Sequence, residues 1–473
     1  MSDSTETAAL ERIPASFRDP SGHVYALNDR IIRTVLPHGM QEFDYVLSTG
    51  LLDTLAQARM VLPFERMRGA IPASADFGDV KAWLEVPRIP FISFPYEWTF
   101  SGLKAAALLH LDIHIMVLDA GVTLSDASAY NVQFSGARPV FIDHLSFRRY
   151  RDGEFWLGHR QFCEQFLIPL LLRSQFGIPH NSWYRGSLEG IPLDEFARML
   201  RFRDYFSWDM LTHILVQSWF QRTTFSGSAP LGEMKTPSAS LPRPRFRRML
   251  DKLRQWIAQL RPAGTGKTVW QDYETTHSYK SDEMARKKAF VAQFIRERQP
   301  KQLWDLGCNT GEFSTLALQE GAAYVVGFDM DHGALETCFT RASQDSLALQ
   351  TVVTALDNPS PSQGWRERER QGLQERTSAD ALVALALVHH LAIARNIPLG
   401  QIVDWLVRLA PAGVVEFIPK TDPMVQRLLS LREDIFPNYS LDNFSLELAR
   451  SAGIVRTAQL SQNGRTLFWY ERL

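Results

Sequence analysis

The chain has 473 residues, 45% of them hydrophobic and 22% charged, with a formal net charge of −1. That balance argues against a dedicated nucleic-acid binder, which carries a strongly basic domain, and the length calls for two or three domains rather than one core. The three cysteines, Cys163, Cys308 and Cys338, fall at no disulfide or metal-ligand spacing, so a reducing cytoplasm and no metal are expected.

Residues 1–16 are polar and acidic, without a basic n-region or an apolar h-region, and read as a frayed tail rather than a signal peptide. Across 21–35, two short runs flank Asn28-Asp29, which is a hairpin signal. A helix is expected over 41–62. Pro and Gly punctuate 63–95, and the aromatic run IPFISFPYEWTF predicts a strand leading into a turn. Residues 102–120 predict a long, buried apolar helix. Its 105–118 stretch is broken by His110, Asp112 and His114 and is too short to span a bilayer, so no membrane contact is expected.

Residues 121–147 read GVTLSDASAYNVQFSGARPVFIDHLSF. Asp126 and Asn131 are followed by a short strand, a turn and a second strand that delivers Asp143. This order resembles the catalytic loop and metal-binding motif of protein-kinase-like and aminoglycoside phosphotransferase-like folds. The resemblance implies that Asp126 orients or deprotonates an acceptor hydroxyl, Asn131 binds metal, and Asp143 holds magnesium on phosphates. The sequence departs from that pattern at Ser125 and at His144-Leu145, and it shows no Lys on an early strand and no Gly-rich phosphate loop. Phosphotransfer here would need a basic residue gripping phosphate near Asp143. The same residues also fit a plain β-hairpin with turn-favouring Asp and Asn.

Residues 155–220 are helical in pattern and rich in aromatics, and 223–244 are rich in Ser, Pro, Gly and Thr, as in a linker. The basic run over 243–254 fits a helix whose charged face meets either solvent or an anionic partner. Residues 264–268, GTGKT, lack the strand and the first glycine of a phosphate-binding loop. The expected division is a tail at 1–16, an α+β domain at 17–222, a linker at 223–244 and a second domain at 245–473.

The second domain centres on LWDLGCNTGEFSTLALQEGAAYVVGFDMD. Periodicity and punctuation give strand, tight glycine turn, helix and strand, the first unit of a doubly wound sheet whose ligands sit beyond the strands' C-terminal ends. Gly307 and Gly311 free the backbone to bend and to approach a ligand closely. Asp329, closing the second strand, is placed to accept both hydroxyls of a ribose. A dinucleotide fingerprint would need Gly at positions 309 and 312, where Asn and Glu stand. The stretch instead resembles the first motif of the class I S-adenosylmethionine (SAM)-dependent methyltransferases, written here D-L-G-C-N-T-G, with G-F-D-M-D as its ribose-binding motif.

That resemblance covers about 270–473. It implies an α/β fold with a mostly parallel, seven-stranded, Rossmann-like sheet, and SAM as cofactor. The cofactor site it implies comprises Asp305, Gly307, Cys308, Asn309, Gly311, Asp329 and Met330, with Asp357 or Asn358 on the adenine amino group. The segment before the first strand often covers the cofactor in this family, which makes Tyr273, Tyr279 and Lys280 lid candidates, with Ser281-Asp282 capping the next helix. Charged residues over 363–377 predict a solvent-facing helix or loop. The apolar run after Asp380 predicts the fourth strand, with His389 and His390 beyond its end as candidates for orienting or deprotonating an acceptor. Glu416 and Lys420, on and after the fifth strand, face the same region, and a final hairpin turns at 461–464. The expected partner is a small-molecule acceptor of specialised-metabolite or glycan type; oligomeric state is not legible. A bifunctional chain that also binds ATP and magnesium, and a non-catalytic SAM-binding protein, stay open.

Overall fold

The structure, a computed structural model, describes residues 10–67, 79–201, 210, 213–214, 240–264, 281–376, 379–430 and 432–473. Most of the expected tail, linker residues 223–239 and the lid candidates Tyr273, Tyr279 and Lys280 lie outside the described residues.

Five short strands open the chain: β1 (Glu11–Arg12), β2 (Val24–Leu27), β3 (Arg30–Val35), β4 (Glu65–Arg66) and β5 (Ala82–Val86), paired antiparallel in the order 1-2-3-5-4. The hairpin of β2 and β3 turns at Asn28-Asp29, with Asn28 at φ +52°. The helix expected over 41–62 is two helices, Pro37–Ser48 and Leu51–Gln57. Gly50, at φ +69°, breaks the run between them. The aromatic run before residue 100 forms no strand. Pro95 opens a 3-10 turn, Pro95–Glu97, and the Glu97 carboxylate accepts the Phe94 N–H at 2.9 Å.

The long apolar helix spans Phe100–Asp119, capped by Thr99 Oγ1 on the Gly102 N–H at 3.0 Å. Its 20 residues correct the shorter run read from the sequence. An 18-residue window has mean hydropathy 1.4, enough by length and composition to cross a membrane, but 61% of that window is buried inside the protein. His110 and His114, which interrupt the run, are themselves fully buried and held neutral by that burial. The helix Arg243–Gln259 lies along it, burying Phe246, Leu250, Leu253 and Ile257, one side of the helix. Two of its basic residues are ion-paired: Arg247 meets Asp119 and Asp251, and Arg254 meets Asp112.

After the long helix come β6 (Val122–Leu124), β7 (Val132–Ser135), β8 (Arg138–Phe141) and β9 (Phe147–Arg149), with β7 paired to β8 and β6 to β9. Short helices and a π-turn at Cys163–Leu167 continue to Ala197.

The second half holds β10 (Leu303–Leu306), β11 (Val325–Asp329), β12 (Leu349–Val353), β13 (Ala381–Ala384), β14 (Ala412–Phe417), β15 (Ala452–Gln459) and β16 (Thr466–Arg472). They form one seven-stranded sheet in the order β12-β11-β10-β13-β14-β16-β15. β10 to β14 run parallel, and β16 pairs antiparallel with both β14 and β15. Renumbered within the sheet this is 3-2-1-4-5-7-6, the Rossmann-like methyltransferase fold. Every residue of β10, β12, β13 and β14 is buried, as parallel strands covered on both faces require. The fourth strand is shorter than its apolar run: it ends at Ala384, and Ala386 turns out at φ +50°. Among the described residues of this stretch, 363–376, a 3-10 turn at Trp365–Glu367 stands in place of a regular helix.

The two halves share one core, in which Leu103 and Phe134 join Val325, Phe339 and Trp469. Polar bonds cross the same seam. Tyr324 Oη accepts the Gly136 N–H at 2.9 Å and donates to Gln350 Oε1 at 2.8 Å, while Arg376 pairs with Glu97 at 2.6 Å, both side chains almost wholly buried.

Candidate active site

Chain order reverses between β10 and β13, and a cavity of about 380 Å³ opens beyond the C-terminal ends of β10, β11 and β12. Its floor is the turn after β10. Gly307 and Gly311 lie at φ +80° and +81°, and Asn309 between them at +51°. The Gly307 and Cys308 N–H groups both donate to Phe328 O, at 2.8 and 3.0 Å, which fastens the turn to β11. A Cβ on Gly311 would stand 2.5 Å from Cys338 Sγ, so close packing as well as φ requires glycine there.

Asp305 is buried beneath the turn and accepts the Ser314 hydroxyl at 2.6 Å, tying β10 to the helix Glu312–Gln319; burial pushes its carboxyl up to about 6. Asp329 ends β11. One of its oxygens accepts the Asn309 N–H at 2.8 Å and the other the Asp331 N–H at 2.9 Å, and burial raises its carboxyl. Each oxygen keeps a further acceptor position. Asn309 Oδ1 is buried with no hydrogen-bond partner among the described residues. Met330, half exposed, stands at the rim with Asp357, whose carboxylate pairs with Arg395 at 3.2 Å.

Asp305, Gly307, Cys308, Asn309, Asp329, Met330 and Asp357 all line this one cavity. Gly311 and Asn358 do not: Gly311 packs beneath the turn against Cys338, and the Asn358 carbonyl accepts Arg185 on the outer surface at 3.2 Å. The two histidines separate. His390 lines the cavity, and burial lowers it to about 4. His389 is wholly buried behind it, absent from the cavity wall, held neutral first by burial, with neither ring nitrogen hydrogen-bonded among the described residues. Of the expected pair, His390 stands at the cavity wall and His389 behind it. The strand stops at Ala384 and the chain is helical by Val388, where successive side chains are about 100° apart, so that His390 and Leu391 meet the cavity and His389 does not. Glu416 and Lys420 do not face the cavity either. Glu416 is buried in an ion pair with Lys287 at 2.8 Å and accepts the Ala386 N–H at 2.9 Å, whereas Lys420 pairs with Asp434 at 2.7 Å.

Lys287, Phe313, Thr354, Leu356 and Arg395 also line the cavity. No motif flagged them: Lys287 sits in an unremarkable charged helix run, and Arg395 follows a turn. Leu356, one residue before Asp357, had a signal in the apolar end of the third strand.

In the first half, Asp126, Asn131 and Asp143 do come together. Asn131 Nδ2 donates to both Asp126 oxygens, at 3.1 and 3.0 Å, and burial and then Asp143 push the Asp126 carboxyl up to about 7. The basic residue missing from the sequence reading is Arg33 on β3, which pairs with Asp143 and, at 3.0 Å, with Asp19.

No protein-family model matches the sequence. The chain is 43% identical to nodulation protein NoeA of Rhizobium meliloti (strain 1021) over 476 residues, 100% of this chain and 99% of that one. Among solved structures it is similar to the N-methyltransferase NodS from Bradyrhizobium japonicum WM9, at 12% identity and TM-score 0.30, over 41% of this chain and 98% of that one. Magnesium protoporphyrin IX methyltransferase ChlM from Synechocystis PCC 6803, solved with bound SAH, gives 17% identity and TM-score 0.30 over 43% of this chain and 93% of that one. WbdD gives 16% and TM-score 0.29 over 44% of this chain and 43% of that one. The strand order, rather than these partial likenesses, identifies the fold.

Proposed function

The chain belongs to the family of nodulation protein NoeA, and from that premise we propose that it is a SAM-dependent methyltransferase acting on an oxygen or nitrogen of a small acceptor. The observation that carries this reading is the convergence of the Gly307–Gly311 turn, Asp329 and the Leu356-Asp357 corner on one cavity, at the reversal point of a methyltransferase-type sheet. The donor set suits the cofactor. Asp329 has acceptor capacity for ribose hydroxyls, the orphaned Asn309 Oδ1 accepts from an ammonium, and Leu356 and Asp357 offer an apolar face and an acceptor to adenine. When bound, SAM supplies a methyl group on a sulfonium, already activated for displacement.

The residues of the chain then have to bind and orient. His390, uncharged at neutral pH, offers a lone pair to an acceptor N–H or O–H at the cavity wall, with most of the rate enhancement coming from positioning. Exposed lining groups such as Met330, Glu312 and Arg395 give the cavity a path to solvent, which favours turnover over a sealed, purely structural SAM site. The acceptor class is a specialised metabolite or a glycan, consistent with the nodulation role in the relative's name, and the reaction is intracellular.

A second reading is favoured by Arg33, which supplies the basic group that an ATP-magnesium or phosphorylated ligand would need beside Asp143. Calorimetry of the full chain with SAM, and separately with ATP plus magnesium, tests both. SAM binding that is abolished in Asp329→Ala supports the first. SAM silence together with ATP-magnesium binding lost in Asp143→Ala would replace it with the second.

A further inference from the structure

Outside the cavity, the described residues hold one group of three metal-ligand side chains: His159, Cys163 and His213. His159 lies on the helix His159–Phe162 and Cys163 opens the π-turn Cys163–Leu167, so the two project from one face, four residues apart. His213 arrives from 50 residues further along the chain. His159 Nε2 stands 2.9 Å from His213 Nδ1 and 3.7 Å from Cys163 Sγ, and all three ligand atoms lie within 4.8 Å of one another.

We propose that these three side chains bind one divalent ion of the zinc class. Tetrahedral zinc, with Zn–N of about 2.0–2.1 Å and Zn–S of about 2.3 Å, sets its ligand atoms roughly 3.3 Å apart for N···N and roughly 3.6 Å for N···S. The His159–Cys163 pair meets the second spacing, the histidine pair needs a slight opening to meet the first, and the His213–Cys163 pair closes the triangle within 4.8 Å. One thiolate with two neutral imidazoles is a borderline-soft donor set suited to zinc rather than to magnesium or calcium. Burial lowers His159 to about 3, which holds its ring in the metal-binding form at all ordinary pH. The Cys163 thiol is pushed up by burial and then by the Glu164 carboxylate, so it stays protonated without an ion. A bound cation reverses this by displacing the proton to solvent. The ion and the thiolate leave one net positive charge; the adjacent Glu164 carboxylate, already paired with Arg160 at 3.1 Å, screens that charge without neutralising it.

The role is structural. Trp156 packs on the His159 ring and Trp256 stacks on His213 at 6.3 Å, so the ligands are walled by aromatic side chains. The ion would clamp His213 to the π-turn and, through Trp256, to the helix Arg243–Gln259. Without metal the same atoms form a hydrogen-bonded trio, with the His159–His213 bond at 2.9 Å and the thiol donating to His213 O at 3.6 Å.

The test uses the full chain, free of affinity tag and dialysed without chelator. Elemental analysis is expected to find about one zinc per chain. Replacement by Co2+ is expected to give a thiolate-to-cobalt charge-transfer band in the near ultraviolet. Cys163→Ser should abolish the band and weaken Co2+ binding by more than about tenfold, and His213→Gln should weaken binding while leaving a thiolate band. A folded wild-type chain with neither stoichiometric zinc nor a cobalt-thiolate band overturns the proposal and leaves the hydrogen-bonded trio. So does a band that survives Cys163→Ser, since the thiolate would then be Cys308 or Cys338. If both variants fail to fold, the wild-type band and zinc content decide. SAM calorimetry on the same samples reports on the cavity separately, so either claim can fall alone.

Discussion

His389 and His390 are adjacent in sequence, with ring centroids 4.0 Å apart, yet they face different surroundings. His390 has the cavity in front of it, whereas His389 has two ring nitrogens and no hydrogen-bond partner for either among the described residues. His390→Ala is expected to lower kcat about 10–100-fold with SAM affinity nearly unchanged, the range of one positioned polar group. His389→Leu is expected to keep turnover and to leave stability unchanged or raise it by about 1–2 kcal/mol, because it removes buried, unpaired nitrogens. Steady-state kinetics and denaturant midpoints on both variants check the pair, and a His389 variant that folds but loses turnover would reverse the assignment. Lys287 and Glu416 make the opposite case, a pair whose halves depend on each other. With side-chain exposures of 4% and 0%, both are almost wholly buried, Lys287 at the cavity wall and Glu416 behind it. Lys287→Met should destabilise the chain by about 3–5 kcal/mol by stranding the carboxylate, and adding Glu416→Gln should recover part of that loss in urea unfolding.

At the scale of elements, the turn between β10 and the helix Glu312–Gln319 sets the shape of the cavity floor. Gly311 is constrained twice, by φ +81° and by Cys338 Sγ. Gly311→Ala is expected to cost about 1–3 kcal/mol of stability and to weaken SAM binding at least about tenfold. Binding at parental affinity in a folded Gly311→Ala protein would show that the turn does not contact the cofactor. This element was legible in the sequence, because glycine spacing and an acid at the end of each apolar run are local signals. The split of 41–62 into two helices hung on Gly50 alone, and the aromatic run before Phe100 mimicked a strand because its side chains pack against the seam between the halves: Phe91 meets Trp304 and Phe328, and Trp98 meets Phe134. Period and composition do not encode such long-range contacts.

For the whole molecule, the buried histidines set the response to acid. His110, His114, His144, His159, His180, His332, His389 and His390 are all lowered by burial, to about 3 or about 4 where a value is resolved within range. Each binds its proton near 6.5 once unfolded and only well below that when folded, near 3–4 for His110, His144, His159, His180, His332 and His390. The unfolded state therefore holds more protons across that window, and stability rises with pH there, by up to about 1.4 kcal/mol per unit for each group. Raised carboxyls such as Asp126 and Asp305, at about 7 and about 6, work against this between pH 4 and 7, but among the described residues the lowered histidines outnumber the raised carboxyls. Urea midpoints are expected to climb steadily from about pH 4.5 to about pH 6.5; a flat or falling profile would mean that these rings are solvated. Protonation of His390 should likewise suppress turnover only as pH approaches about 4.

By itself the sequence determined the order and type of the C-terminal strands and helices, the glycine turn, Asp329 as the acid at its neighbouring strand's end, and the pairing of Asp126, Asn131 and Asp143 around one hairpin. All of these depend on spacing within a few residues or one strand-helix-strand unit, where backbone geometry carries the information. Only the tertiary structure decided which of two histidines meets the cavity, that Glu416 is spent on Lys287, that Arg33 answers Asp143 from 110 residues away, and that His213 joins His159 and Cys163. Those outcomes depend on which side chains the shared core brings together and leaves without water, and burial of that kind belongs to the packed whole rather than to any local stretch.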